Sequence, residues 1–333
     1  MSIFAVENTE SLRQLSPHPM CTILDSAKYL ADTPDRHLAL RNAQGQTLAR
    51  CSLWWRQTPL LDTRHTGFVG HFDCCDKRSG ALLLEHSCGL LRQTGCDVAI
   101  GPVDGSTWKS YRFVTAGDDE PPFFLEPTGK PECRQAFEQQ GFQVLAGYVS
   151  VRNDELRWRD PGIDAAAAAL RQQGLRLQHI DMNVFEDELA RIHELSLRSF
   201  ADNFLFSPID RDAFIAMYRP LRAVLVPELV LFVTRGTRLI GFIFAIPDLN
   251  QAQRGETVDT VIIKTLAVDP DFAGRRIGSW LAKSLYQQAG RMGFRRAVHA
   301  LMHEENISRT IHSDRAQVIR RYSLLFQQLA DAP

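Results

Sequence analysis

The sequence predicts an α/β (α+β) protein made of two units, each a mixed, mostly antiparallel sheet flanked by helices. Three observations carry that prediction. The 333 residues suggest two domains or one large one, at roughly 100–200 residues per domain. From Leu175 onward the apolar pattern switches between period two and period 3.6 in the order β-α-α-β-β-β-α-β. A weaker version of the same succession precedes a polar seam at 153–174 that carries Asp160-Pro161-Gly162. The expected division is 1–155 and 156–333.

The second unit is the more legible. An alanine-rich helix is expected from Asp164, as N-cap, to Gln173, with Gly174 suited to the left-handed position after it. Leu175–Ile180 alternates as a half-buried strand. Phe185, Leu189, Ile192, Leu195 and Phe200 recur at helical spacing, and a second helix is expected at Asp210–Tyr218. Leu229–Thr234 and Leu239–Ile246 read as strands joined by the turn Arg235–Arg238. Val258–Val268 is a further strand, followed by a loop, a helix to about Met292, a strand at Arg296–Met302, a short helical stretch and a last strand-like run at Val318–Phe326.

In the first unit, His37–Arg41 and Thr47–Trp55 read as a hairpin, Gly67–Phe72 and Asp97–Val103 as strands, and Ser79–Gln93 as an amphipathic helix. Ser106–Phe113 is expected to be a short helix, Cys133–Gln140 another, and Gly141–Val151 an alternating strand.

Composition narrows the function class. With 44% hydrophobic residues the chain can build real cores, which excludes wholesale disorder. The 38 basic and 39 acidic residues nearly cancel, which lends no support to a nucleic-acid or membrane-surface partner. Apolar runs such as Ala165–Leu170 are too short to span a bilayer, and the first residues lack a signal-peptide pattern. Seven cysteines, all between Cys21 and Cys133 and without a CxxC, point to reduced thiols and a cytoplasmic protein, and no ligand spacing suggests a metal.

The informative stretch runs from Thr265 to Leu281. A buried strand stops at Asp269-Pro270, a short loop follows, and an amphipathic helix begins near Arg275. Unpaired backbone N–H groups and the positive end of a helix then meet at one corner, an arrangement that binds phosphate oxygens. Gly274 and Gly278 let the main chain approach an anion, and Arg275 and Arg276 add charged donors.

This stretch resembles the pyrophosphate loop of the GNAT acyl-CoA N-acyltransferase superfamily, with the second unit as the acyl-CoA-binding copy and the first as a degenerate one. The family's Q/R-x-x-G-x-G/A falls on Ala273-Gly274-Arg275-Arg276-Ile277-Gly278; Ala273 stands where Gln or Arg is usual and Arg276 where the first Gly is usual. The resemblance implies that acetyl-CoA or another acyl-CoA is held by Leu266, Ala267 and Val268 on the strand, by Ala273 through Ser279 at the loop, and by Asn306. Asn306 reads equally well as a helix N-cap. It further implies acyl transfer, most simply acetyl transfer, to a small-molecule amine or peptide by direct attack on the thioester.

The acid and base are less legible. Family members often carry a Glu near the middle of this strand, where this chain has Ile262-Ile263-Lys264; Asp259 and Glu256 are the nearest acids. A Tyr is usual about two turns after the asparagine, where this chain reads Ile311-His312-Ser313-Asp314, leaving Ser313, His312 or Tyr322 to stand in. Because the Glu and Tyr are missing, a non-catalytic acyl-CoA sensor or scaffold is the alternative, and a transferase using an aminoacyl-tRNA donor is a further one.

In the first unit, Asp73-Cys74-Cys75-Asp76-Lys77-Arg78-Ser79-Gly80 occupies the loop position and lacks the paired glycines of a pyrophosphate loop, so no CoA is expected there. Asp104, Ser106, Trp108 and Arg112 cluster after a strand, where α/β units put ligands. They read either as an acceptor pocket or as a capped helix whose aromatics fill the core.

Overall fold

The computed structural model describes residues 1–117, 119–156, 160–305 and 316–329. In the first half these fold as β1 (Ser2–Val6), α1 (Thr9–Arg13), β2 (Ser16–Pro17), α2 (Ser26–Asp32), β3 (Arg36–Arg41), β4 (Gln46–Trp54), β5 (Thr66–Cys74), α3 (Lys77–Gln93), β6 (Val98–Gly101), β7 (Phe113–Ala116), α4 (Pro131–Gln139) and β8 (Gln143–Asn153). The second half continues with α5 (Pro161–Gln172), β9 (Leu175–His179), α6 (Phe185–Ser199), α7 (Arg211–Tyr218), β10 (Val230–Arg235), β11 (Arg238–Pro247), α8 (Leu249–Gln253), β12 (Thr260–Val268), α9 (Ile277–Arg291), β13 (Arg296–His303) and β14 (Gln317–Gln328).

The strands join into one sheet, ordered β1-β3-β4-β5-β6-β14-β8-β13-β12-β11-β10-β9, with β2 and β7 attached at β4 and β14. Most pairings are antiparallel. The parallel ones are β5 with β6, β12 with β13, and the short β2 with β4. At the centre the halves exchange their last strands: β14, from the end of the chain, pairs with β6, and β8 pairs with β13. β8 and β14 then pair with each other along most of their length. Ala146, Tyr148, Tyr322 and Leu324 from these two strands pack with Phe68, Val98 and Ile100 in one shared core.

The helices cover both faces. α5 and α9 pack Ile163, Ala167, Leu170, Ile277, Leu281 and Leu285 under β10–β12. α6 and α7 pack Phe185, Leu189, Leu195 and Phe214 on the opposite face. In the first half α3 and α4 supply Leu83, Leu84, Leu91, Ala136 and Phe137. This is the expected α/β architecture, with an apolar stripe of each helix turned to the sheet.

Three local expectations are corrected. α5 is capped by Asp160, not Asp164: the Asp160 carboxylate accepts from the N–H groups of Gly162 and Ile163, and Pro161 takes the first helical position. Asp164 instead pairs with Lys283 at 2.6 Å. Ser106–Phe113 is not a helix. Its backbone closes across the loop, Asp104 N–H to the Ser110 carbonyl and Arg112 N–H to the Pro102 carbonyl, and its end joins β7. Pro247–Asn250 does more than close a strand, since Asp248 caps the short helix α8.

Candidate active site

The site is built where parallel strands part. β12 and β13 pair only from Thr260 with Arg296 to Ile263 with His299. Beyond that point residues 264–268 of β12 leave β13, and the backbone groups on that side have no strand partner. Both strands are irregular at the parting. β12 carries an extra residue, Lys264, opposite the Phe244/Ala245 step of β11. β13 bulges at Ala300 and Leu301 opposite β8. Bulges re-aim side chains beside functional sites, and here both open toward one cavity of about 690 Å³.

The cavity takes its walls from both halves. The second half contributes Phe200, Phe206, Phe214, Tyr218, Lys264, Leu266 and Leu301, and the first half Trp108, Arg112 and Tyr148. Trp108 is fixed by its indole N–H, 2.8 Å from the Ser207 carbonyl, and lies 5.7–6.2 Å from the rings of Phe200, Phe206 and Phe214. Arg112 is 6% exposed. Its guanidinium lies over Tyr111 and Tyr148 at 3.7 and 3.9 Å and donates to the Leu301 carbonyl at 2.9 Å.

Leu301 is thus held at both its carbonyl and its N–H by first-half residues. Its backbone has φ 60, a left-handed value that costs a branched residue energy, and its N–H donates to Ser150 Oγ at 3.1 Å. Ser150 in turn meets the Tyr322 hydroxyl at 2.9 Å, and that hydroxyl donates to Glu126, which also pairs with Arg320 at 2.9 Å. Burial, then the Glu126 charge, pushes the Tyr322 phenol well above its ordinary value. The Lys264 ammonium donates to the Leu125 carbonyl at 3.2 Å; burial first, then the Arg112 charge, lowers its pKa from 10.5 to about 8.

At the far end of the parting, β12 runs into the loop. The Val268 carbonyl accepts from the Ser199 hydroxyl at 3.1 Å. Asp269, 1% exposed, ties the turn to Arg238 and Arg198 at 2.7 and 3.1 Å. Gly274 has φ 74, with open space around it. Arg276 has φ 61 as N-cap of α9 and makes no side-chain cap. Its guanidinium leans to Asp160, 3.8 Å away, on α5. The first N–H groups of α9 therefore lack a side-chain acceptor, beside exposed Arg275.

The sequence-derived residues fall as follows. Leu266 lines the cavity, while Ala267 and Ile277 are buried, so Ile277 can offer only its backbone. Ala273, Gly274, Arg275 and Arg276 are exposed on the loop, and Gly278 and Ser279 are half-buried in the first turn of α9. Asp259 sits before the opposite end of β12, bound by Gln251 and Thr260 and 3.7 Å from Arg296. Glu256 is bound by Arg254. Tyr322 lies behind the cavity wall in the Glu126 network, 1% exposed. Asn306, His312 and Ser313 lie outside the described residues. Trp108 and Arg112 line the cavity, whereas Asp104 binds Lys28 and the His71 N–H. Sequence reasoning missed Lys264 as a site residue, although a lysine inside Val261-Ile262-Ile263-Lys264-Thr265-Leu266-Ala267-Val268 was a signal. It also missed Glu126, Ser150 and Leu301, which act through distant pairings.

All seven cysteines are free thiols, and the described residues contain no cluster suited to a metal. No described helix is long and apolar enough to cross a membrane.

Comparison with known proteins agrees with this geometry. Residues 189–309 match the family model of the acetyltransferase (GNAT) family. Protein YghO of Escherichia coli (strain K12) is 22% identical over 212 residues, which is 62% of this chain and 53% of that protein, so the match spans about half the relative's length. Among solved structures, a GCN5-related N-acetyltransferase from Anabaena variabilis superposes with TM-score 0.53 at 8% identity, covering 99% of this chain and 73% of that one. The GCN5-related glucosamine N-acetyltransferase region of a fungal multi-domain β-N-acetylglucosaminidase superposes with TM-score 0.51 at 14% identity, over 91% of this chain and 35% of that one. The parted parallel strands and the helix without a side-chain cap that follows them lie inside the segment, residues 189–309, that matches the acetyltransferase (GNAT) family model.

Proposed function

We propose that the protein is an acyl-CoA N-acyltransferase, most simply an N-acetyltransferase, with the acyl-CoA on the second unit (156–333) and the acceptor in the cavity that both units line. The observation that carries this reading is the continuity of the parting with the corner at α9: Lys264, Thr265 and Leu266 line the cavity, and the same strand delivers the chain to the N-terminus of α9. Backbone N–H groups of 274–279 would take the diphosphate. The edge of Leu266–Val268, which has no strand partner on the β13 side among the described residues, would take the pantetheine arm and donate to the oxyanion formed when the amine attacks the thioester carbonyl. Holding amine and thioester together in the cavity supplies the proximity contribution. The amine attacks as the free base, the C–S bond breaks as the tetrahedral intermediate collapses, the thiolate leaves on CoA, and the proton passes to water.

The second reading is a non-catalytic acyl-CoA sensor. It is favoured by Ile262-Ile263-Lys264, the stretch of the strand where the family often has a glutamate and this chain has none. Incubating the protein with acetyl-CoA and an amine panel while following thiol release separates the two. Amine-dependent thiol release supports the transferase; saturable CoA binding without release under any acceptor supports the sensor. The absence of a membrane-length helix among described residues and the reduced thiols fit a cytoplasmic site of action.

A further inference from the structure

The cavity is unevenly charged. Its inner wall carries two cations, Arg112 and Lys264, and neither forms an ion pair among the described residues. Their hydrogen bonds go to backbone carbonyls, Arg112 to Leu301 and Tyr111 and Lys264 to Leu125, and use only two of the five guanidinium N–H groups and one of the three on the ammonium. The nearest buried carboxylate, Glu126, is engaged by Arg320 and Tyr322. The acids that line the cavity, Asp202 and Glu305, are exposed, and Lys109 is bound to Asp32. Two like charges that line one cavity repel each other: after burial, which is the larger cause, the Arg112 charge lowers the pKa of Lys264, with Glu126 acting in the opposite sense. A carboxylate placed between them would remove the penalty. Across the cavity lies an uncharged ring cluster of Trp108, Phe200, Phe206 and Phe214.

We infer that the acceptor is an α-amino acid with a bulky apolar side chain, its carboxylate held by Lys264 and Arg112 and its side chain held by the ring cluster around Trp108. This rests on the acyl-transfer reading above. The position of Lys264 sets the α relationship. It is the residue at which β12 leaves β13, just before the Leu266–Val268 edge where the thioester would lie. A carboxylate anchored there leaves an amine one carbon away within reach of that edge, whereas an amine many bonds distant would overshoot it. A lysine on this stretch of the strand, with no glutamate beside it, also gives a local field that repels a cationic acceptor.

The test compares L-phenylalanine and L-leucine with their decarboxylated counterparts, phenethylamine and isoamylamine, using acetyl-CoA and the full chain. The same preparation is titrated calorimetrically with N-acetyl-L-phenylalanine and N-acetylphenethylamine in the presence of CoA. The expected result is kcat/KM at least about 100-fold higher for an amino acid than for its decarboxylated amine, because a site built around a bound charge rejects the ligand lacking it. In Lys264→Met that ratio falls at least about tenfold with the thermal midpoint not lowered, and binding of N-acetyl-L-phenylalanine weakens by a similar factor. Arg112→Lys, which keeps the charge but loses the two-tyrosine stacking, lowers the ratio less. Equal or better use of the decarboxylated amines overturns the inference and leaves the transferase reading standing. A carboxylate preference that survives Lys264→Met overturns the assignment. Selective binding of N-acetyl-L-phenylalanine that Lys264→Met abolishes, with no turnover of any amine, upholds the anion site and rejects the transferase. Binding of neither acetyl compound overturns the site.

Discussion

After β5 and after β12 the chain makes the same move: a strand that has run parallel to its neighbour for three or four residues leaves it and enters a long helix. The chemistry of the two corners is opposite. After β5 the gap is filled by the protein itself, with the Val103 N–H on the Val69 carbonyl at 2.9 Å and the His71 N–H on the Asp104 carboxylate at 2.6 Å. A Cβ on Gly70 would collide with the Val103 carbonyl. The helix that follows, α3, is capped by its own anion: the Asp76 carboxylate accepts from the Ser79 N–H at 2.8 Å and the Ser79 hydroxyl at 2.9 Å. After β12 the gap is the cavity, and α9 begins at Arg276 with no capping side chain. One corner supplies its own carboxylate and the other leaves its first N–H groups without a capping side chain. Under the proposed function, a few residues around each helix start, rather than the fold, decide which half takes the diphosphate.

Substitutions can break that contrast in graded ways. The largest expected effect is at the filled corner. Gly70→Val has no room beside Val103 and should cost about 3 kcal/mol or more of stability, read as a lowered urea midpoint. A change within about 0.5 kcal/mol would mean the first gap is not closed. At the open corner, Gly278→Glu puts a carboxylate in the first turn of α9. A glutamate there suits the helix dipole, so stability should hold while acetyl-CoA affinity drops about 100-fold, or roughly 2.7 kcal/mol. Retained affinity would place the diphosphate elsewhere.

Asp76→Ala removes the internal cap of α3 and should cost about 1 kcal/mol without altering acetyl-CoA affinity or stoichiometry. A second equivalent of bound CoA in that variant would show that the cap alone keeps the first corner closed. The Lys264 prediction concerns pH. Its folded pKa of about 8 lies below the ordinary 10.5, so between those values the unfolded chain holds a proton that the folded chain has shed. Stability from this group therefore rises as pH climbs from about 8 to 10.5 and is at its lowest below pH 8. Lys264→Met should flatten that rise and lift the thermal midpoint by a few degrees at pH 7, about 1 kcal/mol; an unchanged pH profile would mean the lysine titrates normally. The smallest effect belongs to Arg276→Gly, which relieves a left-handed arginine and should stabilise by about 0.5–1 kcal/mol, since the Asp160 contact it gives up is exposed.

Most elements were legible in the sequence because their signals are local. The amphipathic spacing of Phe185, Leu189, Ile192 and Leu195 marks α6 directly, and the Arg235–Arg238 turn marks the β10–β11 hairpin. The corner at 269–279 was legible for the same reason: Asp-Pro, two glycines and the helix lie within a few residues. What local pattern could not carry was the exchange of β8 and β14, which depends on pairings between residues more than 150 positions apart, such as Val318 with Val151. The cavity floor escaped with it. Arg112, Glu126, Ser150 and Leu301 meet only because those central strands cross over. Ser106–Phe113 has the composition of a capped helix, yet its ends are held by bonds across the loop, and tertiary closure overrode propensity. The Asp164 expectation failed by one turn because Asp160-Pro161 is the stronger start signal.

The most direct measurement is a crystal structure of the full chain with coenzyme A. The expected result is one molecule per chain, its diphosphate on the backbone N–H groups of residues 274–279 and its sulfur end in the parting between β12 and β13. A diphosphate bound at the start of α3, or a corner at α9 that stays vacant at saturating coenzyme A, would contradict the account.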